Sequence, residues 1–437
     1  MDAVVVHDLS PLPTHDAADN AWLSRLAASL DPGGHVLSLT DRVGRRDDDE
    51  DDPAIYRGGD GHWWAGRFIG ELRFEDRELR IEPRLGVEVI GEWLAHALNL
   101  TVIPKTAAVG SSAALIAQLV DRIWSAAVAD AARHGTPRLR RTTRHDELFL
   151  RGRLHAAGTV RHRAQGSPLI TTTRPERDLD NPVARVLVLA DHALRALLPV
   201  KPTWRPALTD AVIGQLRGTV GAQPKLPASR DLRAVRYTPI TRRYQSVARL
   251  SHEIARKRGR LTSAASSDVA GVLIDVAELW ELFLLHCARR AFGPAHVEHG
   301  TAERDSTFLL RSADHAHRTL GRLKPDILVY GDDGHLSAVL DAKYKRLRSW
   351  VGSPSGVDRG DLYQIAAYMA GHDVPFGALL YPPHDGDAAI ADTDGPWVTR
   401  AAQRVAFSRV PAAEASAVPA LRSVVDAAVG PQTSGTS

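Results

Sequence analysis

Cysteine is almost absent from this chain, with one residue, Cys287, in 437. A single thiol excludes an internal disulfide and any cysteine-clustered zinc site, and it fits a reducing compartment better than secretion. Long apolar runs are missing too. No stretch approaches the roughly eighteen uncharged apolar residues that a membrane helix needs, so no membrane span is expected. The N-terminus, MDAVVVHDLSPLPTHDAADN, has neither a basic segment nor a long apolar core, so no signal peptide is expected and a cytoplasmic location is read. There is no GxxxxGK[ST] phosphate loop, so the chain is not expected to bind and hydrolyse a nucleotide itself. There is no HExxH, and the close pairs His296/His299 and His315/His317 lack further ligands at zinc spacing, so they read as surface or structural histidines. GSSAA (110–114) lacks the GxSxG elbow, and Cys287 sits in an apolar helical pattern that suits a core residue better than a nucleophile.

Lysine is the last scarcity, because only seven of the 55 basic residues are lysine. Each lysine is therefore informative, and three of them, Lys324, Lys343 and Lys345, fall in LKPDILVYGDDGHLSAVLDAKYKRL (323–347). The arginines cluster instead in the middle of the chain, in 133–145, 151–163 and 230–244. Arginine's planar fork suits phosphate, so several on one face would form a salt-sensitive track along a nucleic-acid backbone; a solvated surface explains them equally simply. The net charge of +3 and a pI near 9 permit such a partner without demanding one.

The pattern changes along the chain. Residues 1–100 read as strand-rich, interrupted by the acidic run RRDDDEDDP (45–53), whose mutual repulsion favours a solvated loop. From about 111 the apolar residues recur at helical spacing, and NPVARVLVLADHALRALL (181–198) opens with Asn181 as a cap and Pro182 at the first helical position. From 268 onward a helix over 275–292, strands near 296–311, the 323–347 hairpin, a helix over 361–372 and a strand at 376–383 read as an α/β unit.

Within the hairpin, taking GDDG (331–334) as the turn pairs Tyr330 with His335 and puts Asp326 opposite Val339. Side chains alternate along a strand, so Asp326, Asp341 and Lys343 then share one face, and a slip of one residue would separate them. Two carboxylates close together in an apolar sheet repel unless a cation lies between them. Magnesium, which takes hard oxygen ligands and keeps waters, suits this donor set. Lys343 can orient the attacking water or balance charge on phosphate, which is the equipment for phosphodiester hydrolysis. A structural hairpin with a simple Asp341–Lys343 salt bridge is the plainer alternative. Glu281, inside the apolar run LWELFLLHC, is either an edge residue or a third metal contact, and Gln364 and Tyr368 share a helix face from which they could bond a phosphate or the metal-site loop.

Pro325-Asp326, DAKYK (341–345) and DLYQ followed by Tyr368 together resemble the PD-(D/E)xK nuclease superfamily, and more narrowly the McrC family of nuclease subunits in McrBC-type modification-dependent restriction systems. GRFIGELRFEDRELRIEPRLG resembles that family's N-terminal segment, with Pro83-Arg84 where Pro-Lys is usual. ELFLRGRLHAAGTVRHR, DLDNPVARVLVLADHAL and LIDVAELWELFLLH resemble three later elements in the same order, the last with Trp280 as a mild departure. Patterning and resemblance together give an α/β fold class, a multi-domain α+β chain: an N-terminal β-rich domain (1–100), partner-engaging by the resemblance, a mainly helical middle (101–262), a domain over 263–430 for which the resemblance implies a nuclease with a central mixed sheet, and a tail (431–437) whose composition reads as disordered. The resemblance implies Asp326, Asp341 and Lys343 as the catalytic core, Glu281 as a metal-site acid and Gln364 as an accessory residue. It implies Mg2+ as cofactor, modified DNA as substrate, and as partner an AAA+ GTPase hexamer whose hydrolysis the subunit stimulates. A non-cleaving activator of that NTPase and a stand-alone repair nuclease are the competing readings.

Overall fold

The fold is described from a computed structural model covering residues 2–30, 36–37, 52–98, 115–198, 202–261, 269–300, 307–315, 317–347, 356–383 and 392–429. The acidic stretch 45–51, the GSSAA segment, the loop 349–355 and the tail 430–437 lie outside the described residues. The chain divides into two compact units, one formed by Met1–Leu98, Val102–Leu119 and Arg260–Ser437, the other by Asn99–Thr101 and Val120–Gly259. Among the described residues no helix is long and apolar enough to cross a membrane.

The first unit begins with β1 (Asp2–His7), α1 (Ala17–Ser29), β2 (Val36–Leu37), β3 (Ile55–Arg57), β4 (Trp63–Ala65), β5 (Phe68–Phe74), β6 (Arg77–Glu82) and α2 (Val87–Ala97). Asp16 caps α1 by accepting from Asp19 N, and the helix buries Trp22, Leu23 and Leu26.

The second unit carries most of α3 (Leu115–Ala132), then β7 (Leu139–Glu147), β8 (Arg153–Leu154), α4 (Ala156–Ala164), β9 (Ile170–Asp178), α5 (Pro182–Leu197), α6 (Ala207–Val220), α7 (Ser229–Arg233) and nearly all of α8 (Tyr244–Leu261). α5 starts as its sequence indicates, with the Asn181 side chain accepting from Ala184 N and Pro182 opening the helix. The buried Arg205 is held by the buried carboxylates of Asp121 and Asp191, which satisfies a charge that burial would otherwise penalise heavily. This region is helical as expected but also contains a three-stranded sheet in the order β7-β9-β8, because the arginine-rich run 139–147 pairs as a strand over its whole length with 170–178.

The chain then returns to the first unit with β10 (Ala270–Asp275), α9 (Val276–Phe292), β11 (Val297–His299), β12 (Phe308–Arg311), β13 (Thr319–Arg322), β14 (Ile327–Tyr330), β15 (Leu336–Ala342), α10 (Arg359–His372), β16 (Phe376–Tyr381), β17 (Asp392–Val398), β18 (Arg404–Arg409) and α11 (Glu414–Val429). A six-stranded mixed sheet runs β11-β14-β15-β16-β18-β17, with β15, β16 and β18 mutually parallel and the outer pairs antiparallel. α10 packs on β15 and β16 through Ile365 and Met369 over Val339 and Leu379.

The N-terminal and C-terminal parts form one unit, where the sequence reading separates a domain at 1–100 from one at 263–430. Two features account for this. β10 adds to the N-terminal sheet, antiparallel to β5, giving the order β1-β6-β5-β10-β2. α2 packs against α9, with Trp93 stacked on Phe283 at 5.3 Å between ring centroids and its indole N–H donated to Ala412 O.

A candidate metal-dependent cleavage site on the central sheet

β15 is the middle of the mixed sheet, paired on one side to β14 and on the other to β16. The pairing differs from the one expected from the GDDG turn. Tyr330 pairs with Leu336 rather than His335, and a bulge at Ser337 then shifts the register again, so that Val329 pairs with Ala338 and Ile327 with Leu340. The turn and the bulge each add one residue, so side-chain parity is restored. Continuing the ladder puts Asp326 opposite Asp341, two residues from the expected partner Val339 and on the same face. The contact is direct, because Ala342 N donates to Asp326 Oδ2 at 2.7 Å.

Pro325 and Asp326 are fixed from the other side as well. β11 is followed by Gly300, which comes so close that a Cβ there would lie 1.8 Å from Pro325 O; only glycine fits.

Asp341 is almost fully buried, and its Oδ2 lies 2.7 Å from Lys343 Nζ. That ion-pair contact is off the direction of a hydrogen bond, and Oδ2 accepts none among the described residues. Lys343 N donates to Leu380 O, which continues the β15–β16 pairing past the strand end and fixes where the side chain emerges. The ammonium donates to Gln364 Oε1 at 2.6 Å and lies 3.9 Å from Asp361. Gln364 in turn donates to the Tyr368 hydroxyl, which donates to Lys324 O just before Pro325-Asp326. α10 thus holds the lysine and the entry to β14 through one chain of hydrogen bonds.

Alternation past β15 sorts the rest. Lys343 and Lys345 both turn toward Asp361, the latter at 2.8 Å, while Tyr344 and Arg346 turn the other way. Tyr344 donates to the buried Asp8 at the end of β1, which also accepts from Arg84 N, and Arg346 donates to Ser10 Oγ. The N-terminal segment therefore anchors the strand exit on the face opposite the acids.

The electrostatics agree with the crowding. Burial pushes the Asp326 carboxyl well above its usual range, and the charges of Glu281 and Asp341 push it further. Burial raises Asp341 too, against the pull of Lys343. At Lys343 burial works against the charge, but Asp341 and Asp326 outweigh it and the ammonium is held above its ordinary value.

Glu281 is nearly buried on α9 and bonds His299 Nε2 at 2.8 Å. His299 pairs with Ile327, so it belongs to the sheet face that alternates with that of Asp326. Glu281 is near enough for its charge to raise both aspartates. Sequence spacing missed His299, which was read as surface or structural, and also Asp361, whose signal is its place in the DLYQ motif at the start of α10.

The donor set of Asp326 and Asp341 is all hard oxygen, buried, repelling and only partly compensated by Lys343. This fits a magnesium ion bound by one or two carboxylates plus water and phosphate better than it fits a cage built wholly by protein.

A mixed sheet with these acids on its central strands, an N-terminal sheet in the same unit and helices packed between them define an α/β protein with a buried acid–lysine cluster. The sequence model described as McrBC 5-methylcytosine restriction system component matches residues 64–382, and the chain belongs to that family. No curated protein matches it. Its fold is similar to a chain in the refined half-complex from the tetradecameric assembly of Thermococcus gammatolerans McrB AAA+ hexamers with bound McrC, with a TM-score of 0.52 at 15% identity over 96% of this chain and 98% of that one. The cryo-EM structure of the Thermococcus gammatolerans McrBC complex also matches, with a TM-score of 0.39 at 17% identity over 66% of this chain and 88% of that one, which is too low to bear on the fold.

Proposed function

We propose that this chain is the Mg2+-dependent DNA endonuclease subunit of a McrBC-like restriction complex. It cleaves phosphodiester bonds when assembled with an AAA+ GTPase hexamer, and it stimulates that partner's hydrolysis. Asp326 and Asp341 hold the ion, with Glu281 adding negative potential from α9. When bound, the ion polarises the scissile phosphate and acidifies a water. Lys343, positioned by Gln364 and Asp341, orients that water and balances the charge that grows on the phosphate oxygens. Modified DNA as substrate and an AAA+ GTPase as partner are part of this proposal, supported by membership in the 5-methylcytosine restriction family and by the likeness to a chain from an assembly of McrB AAA+ hexamers with bound McrC. The observation that carries the cleavage reading is the convergence of Asp326, Asp341 and Lys343 on one face of the central strands, with a 2.7 Å contact between Asp341 and the ammonium.

The test is cleavage of methylated DNA by the assembled complex with Mg2+ and GTP. Asp341→Ala is expected to reduce cutting by at least ~10³-fold, about 4 kcal/mol of transition-state stabilisation, while GTPase stimulation stays near wild type. Equal cutting by wild type and variant would sink the nuclease reading. Stimulation by a wild-type chain that never cuts would leave the adaptor reading instead.

A further inference from the structure

A second cluster, built from residues outside the proposed cleavage site, lies where three helices of the first unit meet. His96 is in the last turn of α2, His286 is in α9 and Glu414 opens α11. One ligand atom from each lies within 4.8 Å of the others, the one such three-residue group among the described residues. Glu414 faces both rings: Oε1 is 3.2 Å from His286 Nε2 and Oε2 is 3.5 Å from His96 Nε2. Two donors on a tetrahedral zinc ion, with bonds of about 2.0–2.1 Å, stand about 3.3 Å apart. Glu92 Oε1 adds a second carboxylate 3.7 Å from His96 Nε2 while it accepts from Glu414 N. Arg290 Nε reaches Glu414 Oε1 at 3.3 Å from an exposed side chain and is the cation that competes for that carboxylate.

An independent observation points to a missing partner. His96 is more than nine-tenths buried, yet its Nε2, the atom aimed at both glutamates, makes no hydrogen bond in the structure. Such orphaned buried nitrogens are costly and uncommon. The two rings are stacked at 4.1 Å between centroids, and Phe283 and Trp93 floor the cluster with apolar surface. Two imidazoles and a carboxylate on a dry floor form a donor set that suits a borderline-soft divalent ion and not magnesium.

We propose that His96, His286 and Glu414 form a binding site for a divalent transition metal of the zinc class, with Glu92 beside it, and that the ion ties α2 to α9 and α11. The site is separate from the proposed cleavage site and does not depend on that reading. The test uses tag-free, full-length protein stripped with chelator and titrated with Zn2+ alone, and with Co2+ alone as a spectroscopic probe. One equivalent of Zn2+ is expected to bind, with a rise in melting temperature, and Co2+ is expected to give the visible bands of nitrogen ligation. His286→Ala and Glu414→Gln, chosen on the solvent side because removal of the buried His96 risks misfolding, each weaken binding by at least tenfold while the circular dichroism stays native. Asp326→Asn with Asp341→Asn leaves Zn2+ binding unchanged. Absence of Zn2+ binding by wild type overturns the site, and so does binding lost in the aspartate variant but kept in His286→Ala and Glu414→Gln.

Discussion

Two antiparallel strand pairs place charge in opposite ways. In β14–β15 the charged side chains lie inside a sheet covered by a helix, and each finds a specific partner: Asp326 a backbone N–H, Asp341 the ammonium, Lys343 the Gln364 carbonyl. In β7–β9 nine residue pairs run without a break in register on a largely exposed ribbon. One face of that ribbon is a lattice of opposite charges, with Arg141 near Asp178, His145 near Glu176 and Arg174 near Glu147 and Glu176. The other face presents Arg140, Arg144 and Arg177 beside Asp146, which His162 and the Thr171 hydroxyl engage, with Arg153 of β8 opposite Thr173 on the same side, and none of the four arginines has an ion-pair partner among the described residues. Buried charge is fixed in geometry and strongly perturbed. Exposed charge is screened and free to meet a polyanion.

The largest expected effect comes from removing the ammonium that contacts the buried Asp341. Lys343→Met leaves Asp326 and Asp341 facing each other without compensation. Breaking a buried pair in this way costs about 3–5 kcal/mol. The metal-free protein should melt well below wild type, Mg2+ should recover more of the melting temperature than it does in wild type, and cleavage should fall by at least ~10³-fold, about 4 kcal/mol. Melting curves with and without Mg2+ check this, and a variant whose melting ignores Mg2+ would show that the carboxylates do not hold the ion.

An intermediate effect is expected at the exposed ribbon. Arg140→Ala, Arg144→Ala and Arg177→Ala together should leave the melting temperature almost unchanged, since exposed substitutions away from special features stay within about 0.5 kcal/mol each. If this face tracks a DNA backbone, affinity falls and the salt dependence of binding loses about one phosphate contact per arginine. Fluorescence anisotropy at several salt concentrations measures the slope, and an unchanged slope would mark these arginines as solvated surface only.

The two strand pairs also differ in how legible they are in sequence. The acids were visible because carboxylates interrupt apolar runs, and alternation put them on one face. The fold class was readable from the same patterning, and α5 from its Asn181-Pro182 start. Other features depend on contacts far apart in sequence, which no local pattern encodes. β10 looks like the entry to α9, yet it pairs with β5, some 200 residues earlier. Arg140 to Arg144 read only as a basic cluster, because their strand partner follows an intervening helix. His299 looked unattached until Glu281, on another element, was placed beside it.

The smallest effect, that of a one-residue deletion set against an inactivating insertion as its control, tests the register itself. Turn composition predicted the wrong partners, and the site survives because two slips of one residue cancel. Ser337 is the bulge residue, and its hydroxyl donates to Val329 O. Deleting it should make Tyr330–Leu336 and Val329–Ala338 consecutive pairs, so that Asp341 stays opposite Asp326 while one hydrogen bond, about 1 kcal/mol, is lost. Cleavage should stay within about tenfold of wild type. Lengthening β15 by one alanine between Val339 and Leu340 keeps the pairs on the turn side and turns Asp341 and Lys343 to the opposite face, and it should abolish cutting. Paired assays of the deletion and the insertion decide the point. If both retain activity, the strands re-pair freely and the convergence of Asp326 with Asp341 is not what the hairpin specifies.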